Sequence, residues 1–375
     1  MWDSLREWYF VFIEPLLVYF GLTTWGQGDP TYGRNALPYS PLEREAIYDN
    51  DAVKVTRRRV YLCRGKPVLD TSLGEHITTV PHAWGKQVID AWVNYYVWEM
   101  PHVPQRMNAD VYLAHGINDY SGKVAPQALG LMMAGFRTIA LDMPSFGRST
   151  GLHAYVPDLR LNTNALDAVL YHVYMWDEVN KLENLVTRKR FAQGSSMGGF
   201  TVLYHAALHP PMTVAKLGNP TDRHHLALDG VAVSAPMLQI APESRPGLVM
   251  EMVGRMLATV AGRLPLLRAI KGKISDDPKV EYYAALDPQV YHGFVRIGTA
   301  LAIVAGLDHV NEIVAQVQCP VAIHHGSHDR VTSPKGSQAF FARLNSEPKT
   351  LRIWPGVEHG NCGSLTQLCS RARPK

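Results

Sequence analysis

Cysteine is scarce in this chain, and none of its four residues belongs to a C-x-x-C pair. Cys63, Cys319, Cys362 and Cys369 therefore offer neither a disulfide framework nor a zinc site, and a reducing, cytoplasmic compartment is the expectation. A surplus of one charge is also missing. Lys plus Arg number 37 and Asp plus Glu 33, a net charge of +4. That excess is too small for a nucleic-acid-binding surface, and no basic stripe or aromatic platform adds to it. The run Arg57-Arg58-Arg59 reads as a solvated edge and not as a binding patch. No apolar run is long enough to span a bilayer. Residues 8–20 (WYFVFIEPLLVYF) come nearest, and Glu14-Pro15 is expected to break them in the middle. Acidic residues ahead of that run, and no small-x-small motif behind it, argue against a signal peptide. Two readings stay open there: a helix packed on the body, or a peripheral membrane contact through residues 1–20.

What is present suits a large core. Hydrophobic residues make up 46% of 375 and charged residues 19%, so one sheet domain with a sizeable insertion is expected. Short apolar strands are predicted at 87–99, 110–114, 137–141, 189–193, 228–233, 321–325 and 351–354. Helical patterns fall at 124–134, 159–173 and 197–208. Such alternation predicts an α/β protein with a mostly parallel central sheet covered by helices on both faces. Residues 1–84 read as an N-terminal extension, 85–236 together with 312–375 as the core, and 237–311 as an inserted helical cap. In such sheets ligands bind at the carboxyl ends of the strands. His115-Gly116, Asp142, Ser196, Asp329 and His359 all fall there.

The most informative stretch is Gly194-Ser195-Ser196-Met197-Gly198-Gly199, which fits the pattern G-x-S-x-G. A predicted strand precedes it and a predicted helix follows. A strand that turns sharply into a helix lifts its turn residue clear of the sheet, and glycines two positions either side leave room for that turn. Ser196 is therefore the candidate nucleophile. A serine hydroxyl needs a base to take its proton, an acid to orient that base, and donors for the oxyanion that forms. His359 in Gly356-Val357-Glu358-His359 follows the last predicted strand, and Asp329 in Gly326-Ser327-His328-Asp329 follows the one before. The order Ser196, Asp329, His359 is nucleophile, acid, base, as in α/β-hydrolases. The backbone N–H groups of Met197 and Ile117 would be the oxyanion donors.

These motifs together resemble the monoacylglycerol-lipase and serine-aminopeptidase-like branch of the α/β-hydrolase superfamily, over roughly residues 85–360. The oxyanion loop matches as His115-Gly116-Ile117-Asn118-Asp119-Tyr120-Ser121. The loop after the next strand matches as Asp142-Met143-Pro144-Ser145-Phe146-Gly147-Arg148-Ser149. Ser234-Ala235-Pro236 fits the start of a cap. The family commonly has Gly-Glu-His where Asn118-Asp119-Tyr120 stand, and a long helix after its histidine where residues 360–375 show no helical face. The resemblance implies a serine hydrolase that forms an acyl-enzyme without cofactor or metal. The apolar cap favours a small hydrophobic ester substrate, acyl-glycerol or polyketide-like. Amide or thioester cleavage, acyl transfer, and a non-catalytic binding protein on the same fold remain alternatives.

Several other residues have plainer readings. His115 is expected to be structural and Asp142 to be buried and hydrogen-bonded. His324 and His325, adjacent on a strand, point to opposite faces and so do not form a metal site. Asp308 is a spare acid candidate ranked below Asp329. Met250, Met252 and Met256 are expected in the core of the cap.

Overall fold

The computed structural model describes residues 2–63, 69–70, 75–79, 91–104, 107–210, 226–239, 247–267, 275 and 277–359. The expected strand residues 87–90 and the segment 360–375 lie outside the described residues. Twelve strands occur among those described: β1 Lys54–Cys63, β2 Leu69–Asp70, β3 Glu75–Thr79, β4 Ala91–Glu99, β5 Ala109–Ala114, β6 Arg137–Leu141, β7 Lys189–Ser195, β8 Gly230–Ser234, β9 Pro265–Leu267, β10 Val295–Arg296, β11 Val321–Gly326 and β12 Lys349–Trp354. The helices are α1 Trp2–Trp8, α2 Glu14–Tyr19, α3 Pro41–Glu43, α4 Ala125–Met133, α5 Arg160–Val179, α6 Met197–Leu208, α7 Leu248–Ala261, α8 Pro278–Leu286, α9 Ile297–Glu312 and α10 Pro334–Arg343.

Ten strands form one sheet in the order β12-β11-β8-β7-β5-β6-β4-β1-β3-β2. From β12 to β6 every pairing is parallel, and β4 then joins β6 antiparallel. The side-chain period of two explains why both faces are buried. On β4, Val93, Tyr95 and Val97 enter one core cluster, while Tyr96 and Trp98 enter the other. On β5, Tyr112 and Ala114 go with the first set and Val111 and Leu113 with the second. Residues of α5 and α6 cover the first face, and residues of α4 cover the second. The sheet is mostly parallel with helices on both faces, as the alternating pattern predicts.

Three expectations need correction. First, Arg57-Arg58-Arg59 is partly exposed, as a solvated stretch should be, but it lies within a strand that the pattern does not predict: β1 pairs antiparallel with β4 from Lys54↔Glu99 to Leu62↔Ala91. The cations are accommodated one by one. Arg57 donates to Asn94 Oδ1 (2.6 Å), Arg58 stacks over Trp176 and Arg59 over Trp92. Second, Glu14-Pro15 does not break the N-terminal helix. Residues Tyr9–Ile13 form a wider turn in which the Glu14 N–H reaches back to the Tyr9 carbonyl. Pro15 then falls in the first turn of α2, where a missing N–H costs nothing. Third, Met252 and Met256 on α7 are exposed, at 65% and 74%, and so are not core.

Between β8 and β11 lie α7, α8 and α9 with the short pair β9–β10. The N-terminal helix docks on this insertion. Glu14 is buried and pairs with Arg263 (2.7 Å), whose guanidinium also donates to the Phe10 carbonyl, while Arg296 pairs with Glu7 (2.6 Å). Among the described residues, no helix is long and apolar enough to cross a membrane.

Candidate active site

Ser196 sits between β7 and α6 with φ 55° and ψ −120°, a backbone conformation that non-glycine residues seldom adopt. Its surroundings over-determine this strain. Ser196 N–H donates to the Ser234 carbonyl (3.1 Å), and its own carbonyl accepts from Phe200 and Met237 N–H (3.0 Å each). The flanking glycines are sterically required. A Cβ on Gly194 would run into the Gly198 carbonyl, and one on Gly198 into the carbonyls of Ala114 and His115. The serine is 6% exposed. Met197 is the first residue of α6, so its N–H is one of the unpaired donors of a helix start, where developing negative charge is favoured.

The loop after β5, expected to supply oxyanion donors, closes on the same spot. Gly116 faces Ser196, because a Cβ there would stand 3.6 Å from Ser196 Cβ. Ile117 follows it and is half-buried. His115 holds the loop from behind, as expected of a structural residue. Its Nε2 accepts from the Met143 N–H (2.9 Å), which leaves the proton on Nδ1 to donate to the Gly116 carbonyl (2.8 Å). Burial lowers the ring's pKa and keeps it neutral. Asp142 is likewise buried and tied to loops. It accepts from Asn94 Nδ2 and from the N–H groups of Ser121 and Arg148.

Asp329 and His359 come together after β11 and β12. His359 Nδ1 donates to Asp329 Oδ2 at 2.7 Å, leaving Nε2 as the basic nitrogen. The carboxylate side chain is 0% exposed and the imidazole 11%. Oδ1 of Asp329 accepts the Val331 and Thr332 N–H groups (2.8 Å each), and the Thr332 hydroxyl is 2.9 Å from Oδ2. Burial alone would raise the carboxyl's pKa. Hydrogen bonds from His325, His359 and the Thr332 amide outweigh it and hold the group well below the usual carboxylate range. The Thr332 hydroxyl also reaches the Ala235 carbonyl (3.1 Å), next to the Ser234 carbonyl that fixes Ser196. The spare acid Asp308 lies instead on an exposed face of α9.

His324 and His325 point apart, as expected of neighbours on a strand. His324 meets Trp354, whereas His325 is fully buried with Nε2 3.2 Å from Asp329 Oδ2 and Nδ1 2.8 Å from Ser337 Oγ. Asp329 therefore lies between two imidazoles. The available signal was a histidine at the strand end four residues before the acid. Asp119 is a second residue missed as a site group. Desolvation lifts its carboxyl above the ordinary range, opposed by Lys123, His115 and His359. A cavity of about 250 Å³ lies between α9 and α10, lined by Leu238, Val304, Asp308, Asn311 and Gly336, and none of the five candidate site residues lines it.

A serine at a strained strand–helix junction, with a carboxylate–imidazole pair at the ends of the following strands, defines an α/β-hydrolase. Comparison with known proteins narrows this. The family model described as serine aminopeptidase, S33, matches residues 105–363. Monoacylglycerol lipase of Mycolicibacterium smegmatis is 27% identical over 274 residues, which cover 71% of this chain and 85% of the relative. Caffeoylshikimate esterase of Arabidopsis thaliana is 27% identical over 252 residues, 66% of this chain and 70% of the relative. Among solved structures, a soluble variant of monoglyceride lipase from Saccharomyces cerevisiae in complex with a substrate analog superposes with a TM-score of 0.57. It is 22% identical and covers 76% of this chain and 89% of its own. The chain belongs to the serine aminopeptidase S33 family, on the monoacylglycerol-lipase-like branch of the α/β-hydrolases.

Proposed function

We propose that this protein hydrolyses carboxylic esters of hydrophobic acyl groups through an acyl-enzyme. Ser196 Oγ attacks the ester carbonyl carbon while its proton passes to His359 Nε2. Asp329 holds the Nδ1 proton and stabilises the imidazolium. The tetrahedral oxyanion sits between the N–H groups of Ile117 and Met197. Collapse breaks the ester bond, and the leaving alcohol takes the proton back from His359. Water then repeats the sequence on the acyl-Ser196 ester and releases the acid. The observation that carries this reading is the pairing of a strained, hydrogen-bonded Ser196 with a buried 2.7 Å Asp329–His359 contact at the same edge of the sheet.

The named relatives act, by their descriptions, on monoacylglycerols and on a caffeoyl ester, which supports an ester of glycerol or a comparable small alcohol. Exposed apolar side chains support a lipid-like source for it. Trp8, Leu16, Tyr19 and Phe20 of the N-terminal segment are 56–83% exposed, and Met252 and Met256 of α7 are exposed too. In this reading residues 237–311 are a cap over the core of 85–236 and 312–375. Residues 1–84 form an extension whose first helix touches a membrane surface peripherally from the cytoplasm.

Rapid labelling of the wild type by a fluorophosphonate, absent in Ser196→Ala, tests the nucleophile. An inert wild-type serine would overturn the hydrolase reading in favour of a binding protein. Turnover of monoacylglycerols and p-nitrophenyl esters of rising chain length tests the substrate class. Liposome co-sedimentation, with and without residues 1–20, tests the membrane contact.

A further inference from the structure

At the end of α6 remote from Ser196 lies a second cluster of chemistry-bearing side chains. His205 and His209 are four residues apart, so they share one face of the last turn. Asp167 on α5 meets them. One donor atom from each of the three residues lies within 4.8 Å of the others. His205 Nε2 is 3.4 Å from Asp167 Oδ1, and the two imidazole rings are 4.6 Å apart at their centroids. Two ligands bound at ordinary Zn–N and Zn–O lengths to one tetrahedral ion are about 3.3–3.6 Å apart. The His205–Asp167 spacing already matches that, whereas it is long for a hydrogen bond.

The state of His205 adds an independent observation. Its ring is fully buried, and its Nδ1 makes no hydrogen bond among the described residues. The nitrogen that faces Asp167 is Nε2, and its one contact is long for a hydrogen bond, so it is weakly satisfied and open to an ion or a water. Asp167 and His209 are half-buried, which gives an ion access from solvent. The unpaired carbonyls at the end of α6 place partial negative charge there, which favours a cation.

We propose that Asp167, His205 and His209 bind a divalent transition-metal ion of the Zn²⁺ kind, with water completing its coordination. Two imidazoles and one carboxylate suit Zn²⁺ or Co²⁺, whereas Mg²⁺ and Ca²⁺ take oxygen ligands. The ion clips α5 to α6 about 14–20 Å along the helix from the candidate nucleophile, so it stabilises the fold and takes no part in ester chemistry. Because the three ligands converge only in the folded chain, bound metal raises the melting temperature.

Protein stripped of metal by a chelator is titrated with ZnCl₂ and, separately, CoCl₂. One equivalent is expected to bind, with visible Co²⁺ absorption of a low-coordinate site and a higher melting temperature. His209→Gln and Asp167→Asn, both at half-buried positions, should each weaken Zn²⁺ binding at least tenfold while the metal-free melting temperature and ester turnover stay unchanged. No uptake at about 100 µM metal would overturn the proposal, since no useful stabilisation follows from so weak a site. So would uptake that survives in both variants within twofold, which is the result of binding elsewhere on the chain.

Discussion

The two ends of the central sheet both bury charge, but they pair it differently. At the amino ends, Arg137 donates to Asp110 (2.7 Å) and to Asp177 (2.9 Å), and Arg188 donates to Asp110 (2.8 Å). Every one of these side chains is 7% exposed or less. Guanidinium groups stay charged across the working pH range, so this end moves no protons. At the carboxyl ends, Asp329 faces the imidazoles of His325 and His359 instead of guanidinium groups. The first arrangement is an anchor, and the second is the machinery of the proposed reaction. A variant at the first end should cost stability and spare turnover per folded molecule, whereas a variant at the second should cost turnover per folded molecule.

The largest effect is expected at Ser196. Ser196→Ala should lower ester turnover on the order of a millionfold, as loss of a triad nucleophile does, with little change in stability. Ser195→Ala should turn over normally, because Ser195 is the last residue of β7 and lies outside the strained turn. Steady-state kinetics on a p-nitrophenyl ester checks both, and near-normal turnover by Ser196→Ala would remove the machinery from this end of the sheet.

Asp329→Asn comes next, at about ten-thousandfold in turnover, because the amide favours the wrong histidine tautomer. Asp308→Asn should be nearly silent. The same variant carries a pH signature. The folded Asp329 pKa is depressed, so its stabilisation is complete above the unfolded value, about 4, and fades as pH falls through the folded value. Urea melts should therefore show a gap between wild type and Asp329→Asn that is constant above about pH 4 and closes on further acidification. A gap that widens in acid would reverse the assigned direction.

Arg137→Met is the control from the other end. It leaves two buried carboxylates without their shared cation, a loss of about 3–5 kcal/mol of stability. Turnover per folded molecule should stay within twofold. A large drop in turnover at full folding would erase the contrast between the ends.

How much of this was legible follows from where each constraint resides. The elbow could be read because its requirement is local: within six residues only Gly194 and Gly198 leave room for Ser196 at φ 55°. The parallel strands could be read from apolar runs buried on both faces. β1 could not, because its register depends on Trp92 and Trp176 covering arginines that break the apolar pattern. Nor could the amino-end anchor, whose four residues lie up to 78 positions apart in the chain. The Asp329–His359 pair was legible only as an order of motifs along the chain. His325 was passed over because its contact with Asp329 depends on how the loop after β11 folds back.

The smallest effect sharpens the comparison most. Thr332 touches several parts of the machinery: its hydroxyl lies near Asp329 Oδ2, the Ala235 carbonyl and the two imidazoles. If that hydroxyl handled protons, Thr332→Val would be as damaging as a triad variant. The geometry gives it a lesser part. Asp329 Oδ1 keeps both backbone N–H groups, and Oδ2 keeps both histidines. What is lost is one hydrogen bond and the donor to a buried carbonyl, about 1–2 kcal/mol of stability. Turnover should fall less than tenfold, with kcat affected more than KM, because His359 remains oriented but the loop beneath it is looser. A hundredfold loss at unchanged melting temperature would place the hydroxyl in the proton path and enlarge the machinery beyond serine, histidine and aspartate.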